Sequence, residues 1–188
     1  MTAVSPDVVL ARSVALEDAY RRVEEGAMRG LPVHNAALRV EALGFRPWDL
    51  EAAGFGQALL GVVVTPWCMN VVLLPAEASG WADLEEGAKH DLDLPCGRVT
   101  FTAGRLEGVG PLLTCSLFSP MQDFADHDGA MITARFALGD LLTPPPAEAP
   151  APEPRRRRTE GPAPMGGPDL SRRAALGMSR TPRGRTPR

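Results

Sequence analysis

Lysine is almost missing from this chain. Lys89 stands alone against 19 arginines in 188 residues. Cysteine is scarce and odd in number: Cys68, Cys96 and Cys115, widely spaced and never as a Cys-x-x-Cys pair. That pattern argues against a disulfide scaffold and against a zinc knuckle or paired-cysteine iron site. It suits a compartment that keeps thiols reduced. No apolar run approaches the roughly 18 residues needed to cross a bilayer. The richest run, residues 58–65, reads as a buried strand. The N-terminus, Met-Thr-Ala-Val-Ser-Pro-Asp, has no basic stretch before an apolar core, so no export signal is expected there.

Catalytic signatures are also missing. The chain has no phosphate-binding loop, no Gly-x-Gly-x-x-Gly and no Gly-x-Ser-x-Gly elbow. None of His34, His90 and His127 has a second ligand at metal spacing. Asp123, Asp126, His127 and Asp128 form one local acidic cluster, which reads better as a helix start than as a metal site. Asp123 is the expected cap. Cys115 lies in a strand-like run with no cation nearby to lower its pKa, so a structural thiol is expected. The expectation is a cytoplasmic, non-enzymatic protein with no cofactor, no metal and no membrane insertion.

What is present divides sharply. Residues 1–146 carry a net charge of −9, and residues 147–188 carry +6. All ten aromatics lie between Tyr20 and Phe136. The expected organisation is therefore a folded acidic domain over residues 1–143 and a Pro/Arg-rich disordered tail over residues 144–188. The acidic surplus argues against the domain gripping nucleic acid. The tail lacks the aromatics on which bases stack.

Within the domain, Ser5-Pro6 signals a helix start, and a helix is expected over about residues 7–29. Strands are expected over 38–45, 57–65, 69–74, 87–94, 98–103 and 111–118. Pro66-Trp67-Cys68 and Pro95-Cys96-Gly97 read as tight turns. A second helix is expected over about residues 123–142. The implied fold class is α+β: a mostly antiparallel sheet of about six strands, flanked by an N-terminal and a C-terminal helix.

Two runs are distinctive. One is Val64-Thr65-Pro66-Trp67-Cys68-Met69-Asn70. The other is Cys115-Ser116-Leu117-Phe118-Ser119-Pro120-Met121, followed by Phe124-Ala125-Asp126. With Gly30-Leu31-Pro32, Asn35, residues 38–42 and Pro95-Cys96-Gly97, they resemble the HybE/HupJ family of [NiFe]-hydrogenase assembly chaperones. The resemblance spans about residues 16–142. It implies a binding protein without turnover, acting on the hydrogenase small-subunit precursor and its twin-arginine signal peptide. The large subunit and other maturation proteins are further possible partners. Some relatives carry a rubredoxin-like domain, for which this chain has no cysteine pairs.

A signal peptide offers two arginines and then an apolar stretch, so its receptor needs carboxylates beside an apolar surface. The resemblance points to Pro66, Trp67, Met69 and Asn70 at one turn. It points to Phe118, Ser119, Pro120, Met121, Asp123 and Asp126 at the other. Trp67 and Met121, each next to a proline, are expected to be partly exposed; Phe118 is as well suited to the core as to the surface. In the tail, Ser171-Arg172-Arg173 with Leu176 resembles the core of a twin-arginine signal. It reads either as an inert Arg-rich extension or as an internal competitor for the domain's own groove. Two other functional readings stay open at this point: a redox or metal-handling accessory of hydrogenase maturation using the three thiols, and nucleic-acid binding through the tail. Oligomeric state is open as well.

Overall fold

The computed structural model describes residues 4–77 and 79–145. Met1–Ala147 form one compact unit. Ser171, Arg172, Arg173 and Leu176 lie outside the described residues, as does nearly all of the expected tail.

Helix α1 spans Pro6–Val23. Ser5 caps it, its hydroxyl accepting from the Val8 amide, and Pro6 takes the first position, where no amide donor is needed. The helix then loosens into a π turn over Glu24–Met28. Six strands follow: β1 (Glu41–Leu50), β2 (Gly56–Val64), β3 (Met69–Pro75), β4 (Lys89–Leu94), β5 (Gly97–Leu106) and β6 (Gly110–Phe118). Helix α2 spans His127–Leu141.

The strands form one sheet in the order β1-β2-β3-β6-β5-β4, with every neighbouring pair antiparallel. Hairpin-length connections between all consecutive strands do not describe this sheet. Residues 76–88 carry the chain from β3 to the far edge, and β6 returns to lie beside β3. The β4–β5 connection is the tight turn expected at Pro95-Cys96.

Several boundaries differ from expectation; β5, for one, runs on to Leu106 rather than ending at Ala103. β1 starts at Glu41 rather than Leu38 and runs on through Pro47. A proline is tolerated there because β1 is an edge strand. Leu38 and Val40 are buried in the approach to the strand. Helix α2 starts at His127, and its cap is Asp126, whose Oδ1 accepts from the Gly129 amide at 2.7 Å. Asp123 is therefore not the cap. It sits in the exposed turn before the helix.

The sheet is covered unequally on its two sides. α2 packs Ala130, Met131, Ala134 and Leu138 on one face, against Leu60, Val62, Met69, Val71, Leu73, Phe101 and Leu113. α1 packs Leu16, Ala19 and Tyr20 on the other, against Leu59, Val63, Val72 and Leu74. β2 and β3 are buried on both faces, which is why they read as continuous apolar runs rather than alternating ones. α1 is also tethered at the β5–β6 turn, where Arg12 Nη1 donates to Val109 O and Arg22 Nη2 to Glu107 O, both at 3.1 Å. Burial pushes the Arg12 pKa down from its ordinary value.

Candidate functional site

The distinctive sequence runs meet at one end of the sheet. β2 ends there, β3 begins there, and β6 arrives there, with Met69 paired opposite Phe118. The start of β1 lies at the same end, with Glu41 paired to Val64.

Asn35 ties the loops of this end together. Its amide donates to Pro66 O at 2.8 Å. Its Nδ2 donates to Met121 O at 3.0 Å and to Phe124 O at 2.8 Å. Its Oδ1 accepts from the Ala37 amide at 3.0 Å. Gln122 Nε2 adds a bond to Pro32 O at 2.9 Å. One residue, through its backbone amide and its side chain, thus joins segments 29–40, 65–68 and 119–124, and each bond satisfies a backbone group that no strand pairs.

The β2–β3 turn is held from within by Thr65, which is fully buried. Its Oγ1 accepts from the Cys68 amide at 2.9 Å and donates to Cys68 O at 2.8 Å. Trp67 lies half-buried beside Tyr20, with ring centroids 6.2 Å apart. Burial, reinforced by Cys68, pushes the Tyr20 pKa up to about 12, while the nearby Asn70 amide pulls it the other way. Burial also raises the Cys68 and Cys115 thiols. Neither is set up as a thiolate nucleophile.

The expected contact residues separate into two sets. Met121 was expected at the surface and is fully buried, as is Met69. Pro66 is buried too. These three form the floor that fixes the loops, with Met69 and Met121 both in the core beneath α2. Asn70 is partly buried, and its Oδ1 has no partner among the described residues. Phe118, Ser119, Pro120, Asp123 and Asp126 are exposed. The Ser119–Pro120 peptide is cis.

Phe118 is 40% exposed and stands edge-on to Phe124, with centroids 5.4 Å apart. Leu31 and Val33 are also exposed, on the loop that Gln122 and Asn35 bind to the Phe118 side. Asp123, Asp126 and Asp128, all exposed, follow in the turn after β6 and the first turn of α2. No Lys or Arg occurs between Phe118 and Ala134. The site sets exposed apolar side chains near exposed aspartates, with the exposed Arg29 and Arg39 on the neighbouring 29–40 segment and Arg39 next to His127.

His127 is buried at the first position of α2. The Arg39 amide donates to its Nδ1 at 3.4 Å, so Nε2 carries the proton and donates to Glu41 Oε2 at 2.9 Å. His34 Nε2 pairs in the same manner with Glu24 Oε1 at 3.0 Å, joining the π turn to the loop. His34 and His127 brace loops, while His90 lies apart in β4, edge-on to Phe55. Among the described residues, no group of three or more His, Cys, Asp or Glu is placed to hold a metal ion. Sequence reading missed the roles of Asn35, Leu31 and Val33 as one unit. Their signal was the Gly30-Leu31-Pro32 and Asn35 segment, whose neighbours are far away in sequence.

These residues define a small α+β domain whose signature loops are laced together at one end of the sheet. Comparison with known proteins places it. The profile of the family described as "[NiFe]-hydrogenase assembly, chaperone, HybE" matches residues 11–177, and the chain belongs to that family. It is 42% identical over 148 residues to the hydrogenase expression/formation protein HupJ of Bradyrhizobium diazoefficiens, covering 78% of this chain and 82% of that one. It is 37% identical over 89 residues to the hydrogenase-2 operon protein HybE of Escherichia coli K12, covering 45% and 55%. The solution structure of HybE from Escherichia coli matches with a TM-score of 0.54 at 25% identity, covering 81% of this chain and 90% of that one. Among the described residues no helix is long and apolar enough to cross a membrane.

Proposed function

We propose that this [NiFe]-hydrogenase assembly chaperone holds the small-subunit precursor by its twin-arginine signal peptide until cofactor insertion and subunit assembly are complete. The observation that carries the reading is Phe118: a large apolar side chain, 40% exposed, at a sheet end near the exposed Asp123, Asp126 and Asp128. Apolar residues of the signal peptide rest on Phe118, Leu31 and Val33. The paired guanidiniums meet the aspartates, a contact that strengthens as water leaves. Trp67 and the Ser119-Pro120 turn border the same end. The chaperone works in the cytoplasm by occupancy, without turnover and without a cofactor. The large subunit engages later, as the peptide is released.

The test is binding of the full chain to the small-subunit precursor, to the same subunit without its signal peptide, and to the peptide alone. The reading expects the precursor and the peptide to bind and the shortened subunit to bind at least about tenfold more weakly. Equal affinity for precursor and shortened subunit sinks it.

A further inference from the structure

The outward face of α2 carries a stripe that the described residues leave uncovered. The helix faces the sheet through Ala130, Met131, Ala134 and Leu138. On its other side Ile132 and Phe136 are 53% and 72% exposed, and Phe136 is the most exposed large apolar side chain among the described residues. Ile132, Phe136 and Gly139 follow one another on α2 at spacings of four and three, the pattern of a two-helix contact, and Thr143 stands just past the helix end. Together with Arg135 and Asp140 they line a shallow cavity of about 530 Å³.

Two details say what covers this seam. The first is Gly139. A Cβ there would meet nothing within 4 Å, and no left-handed backbone demands glycine. Glycine in a helix is less stable than alanine. Among the described residues nothing fills the room beside Gly139, and a second helix crossing close by would use it. The second is charge. Arg135 and Asp140 flank the seam five positions apart, and neither has an ion-pair partner among the described residues. In a parallel pair of identical helices these are the flanking positions that face each other between strands. Two-fold symmetry then gives two Arg–Asp pairs from one sequence.

We propose that the chain self-associates through α2. Two copies lie side by side with parallel helices, Phe136 against its symmetry mate, Gly139 giving the close approach, and Arg135 of each copy paired with Asp140 of the other. The self-complementary charges favour a second copy over a foreign partner. One stripe on one short helix buries less than the roughly 1,200 Å² of a stable interface, so the dimer is weak and concentration-dependent. The proposal does not depend on which part of the hydrogenase precursor the loop end binds.

The test is sedimentation velocity of the full chain over roughly 5 to 500 µM. The expected result is a sedimentation coefficient that rises with concentration. Phe136→Glu should hold the chain monomeric throughout; this side chain is mostly in solvent, so the fold survives the change. Arg135→Glu should weaken association about tenfold, and Arg135→Glu with Asp140→Arg should restore it. A monomer at every concentration, or association indifferent to Phe136→Glu, overturns the proposal. Failure of the double charge reversal to restore association overturns the parallel pairing. A monomer in which Phe136→Glu abolishes binding of a hydrogenase subunit assigns the stripe to that subunit and equally overturns it.

Discussion

Phe45 fills the space that Gly61 leaves empty. A Cβ at position 61 would lie 2.5 Å from Phe45 Cγ and 2.6 Å from Cε2. The pairing of β1 with β2 shifts between Leu43 and Arg46, so Gly44 and Phe45 together stand opposite Gly61. This is a bulge, two residues against one, and Gly44 takes it up with φ +65. On the opposite face a Cβ at Gly44 would meet Leu138 Cδ2 at 2.5 Å. The two glycines let Phe45 join the core under α1 and let α2 close on the sheet. Gly61→Ala is expected to cost about 1–3 kcal/mol by overpacking. In combination with Phe45→Ala the cost should fall well short of the sum of the single changes, because the clash is removed with the ring. Denaturant unfolding of the four proteins measures this coupling; simple additivity would contradict it.

Asn35 should be worth more than a typical loop residue. Asn35→Ala removes the donors to Met121 O and Phe124 O and the acceptor for the Ala37 amide. A loss of about 1–3 kcal/mol is expected. Asn35→Asp should be worse than alanine at neutral pH, since it turns a carboxylate toward two carbonyl oxygens. Hydrogen exchange near residues 119–124 should accelerate in both variants, and unchanged protection there would show that Asn35 does not hold the loops.

Phe118 and Met121 should behave in opposite ways. Met121 has no exposed surface, so Met121→Ala is expected to cost about 2–5 kcal/mol. Phe118→Ala loses an edge-on aromatic contact and little else, about 1 kcal/mol. Affinity for the precursor should nonetheless fall about tenfold in Phe118→Ala. Asp123→Asn should weaken binding with little effect on stability. Asp126→Ala should do both, because it also removes the α2 cap. Full precursor binding by Phe118→Ala would move the contact elsewhere.

Stability should fall in alkali. The folded Tyr20 pKa is about 12 against an ordinary value of 10.0. A group whose folded pKa is raised contributes stability that is complete below the unfolded pKa and is lost as pH rises to the folded one. The Tyr20 loss should therefore develop between pH 10 and about 12 and reach on the order of 2–3 kcal/mol. Cys68 and Cys115, also raised by burial, act in the same direction from about their ordinary pKa upward. Unfolding free energy measured across this range should decline less steeply in Tyr20→Phe, and an identical slope in that variant would remove Tyr20 as a cause.

Much of this architecture was legible without coordinates. Ser5-Pro6 marked the start of α1, and Pro95-Cys96-Gly97 marked the β4–β5 turn. The apolar run at residues 58–65 marked a buried strand, and β2 is buried there. These are local signals: a capping hydroxyl, a fixed proline φ, a run of buried side chains. The cap of α2 was placed three residues early because Asp123, Asp126 and Asp128 are equivalent as residue types. Only the Gly129 amide selects Asp126.

The sequence by itself determined the composition of the site: an acidic domain, six strands between two helices, and two signature runs that belong together. It could not determine which members of those runs face a partner. Met69, Met121, Phe118 and Trp67 have much the same apolar character, so their burial depends on what packs above them. That was decided by β6 returning beside β3, by α2 closing over Met69 and Met121, and by Asn35 drawing three distant loops together. Each is a contact between residues far apart in the chain, and burial is a property of such contacts rather than of any local stretch.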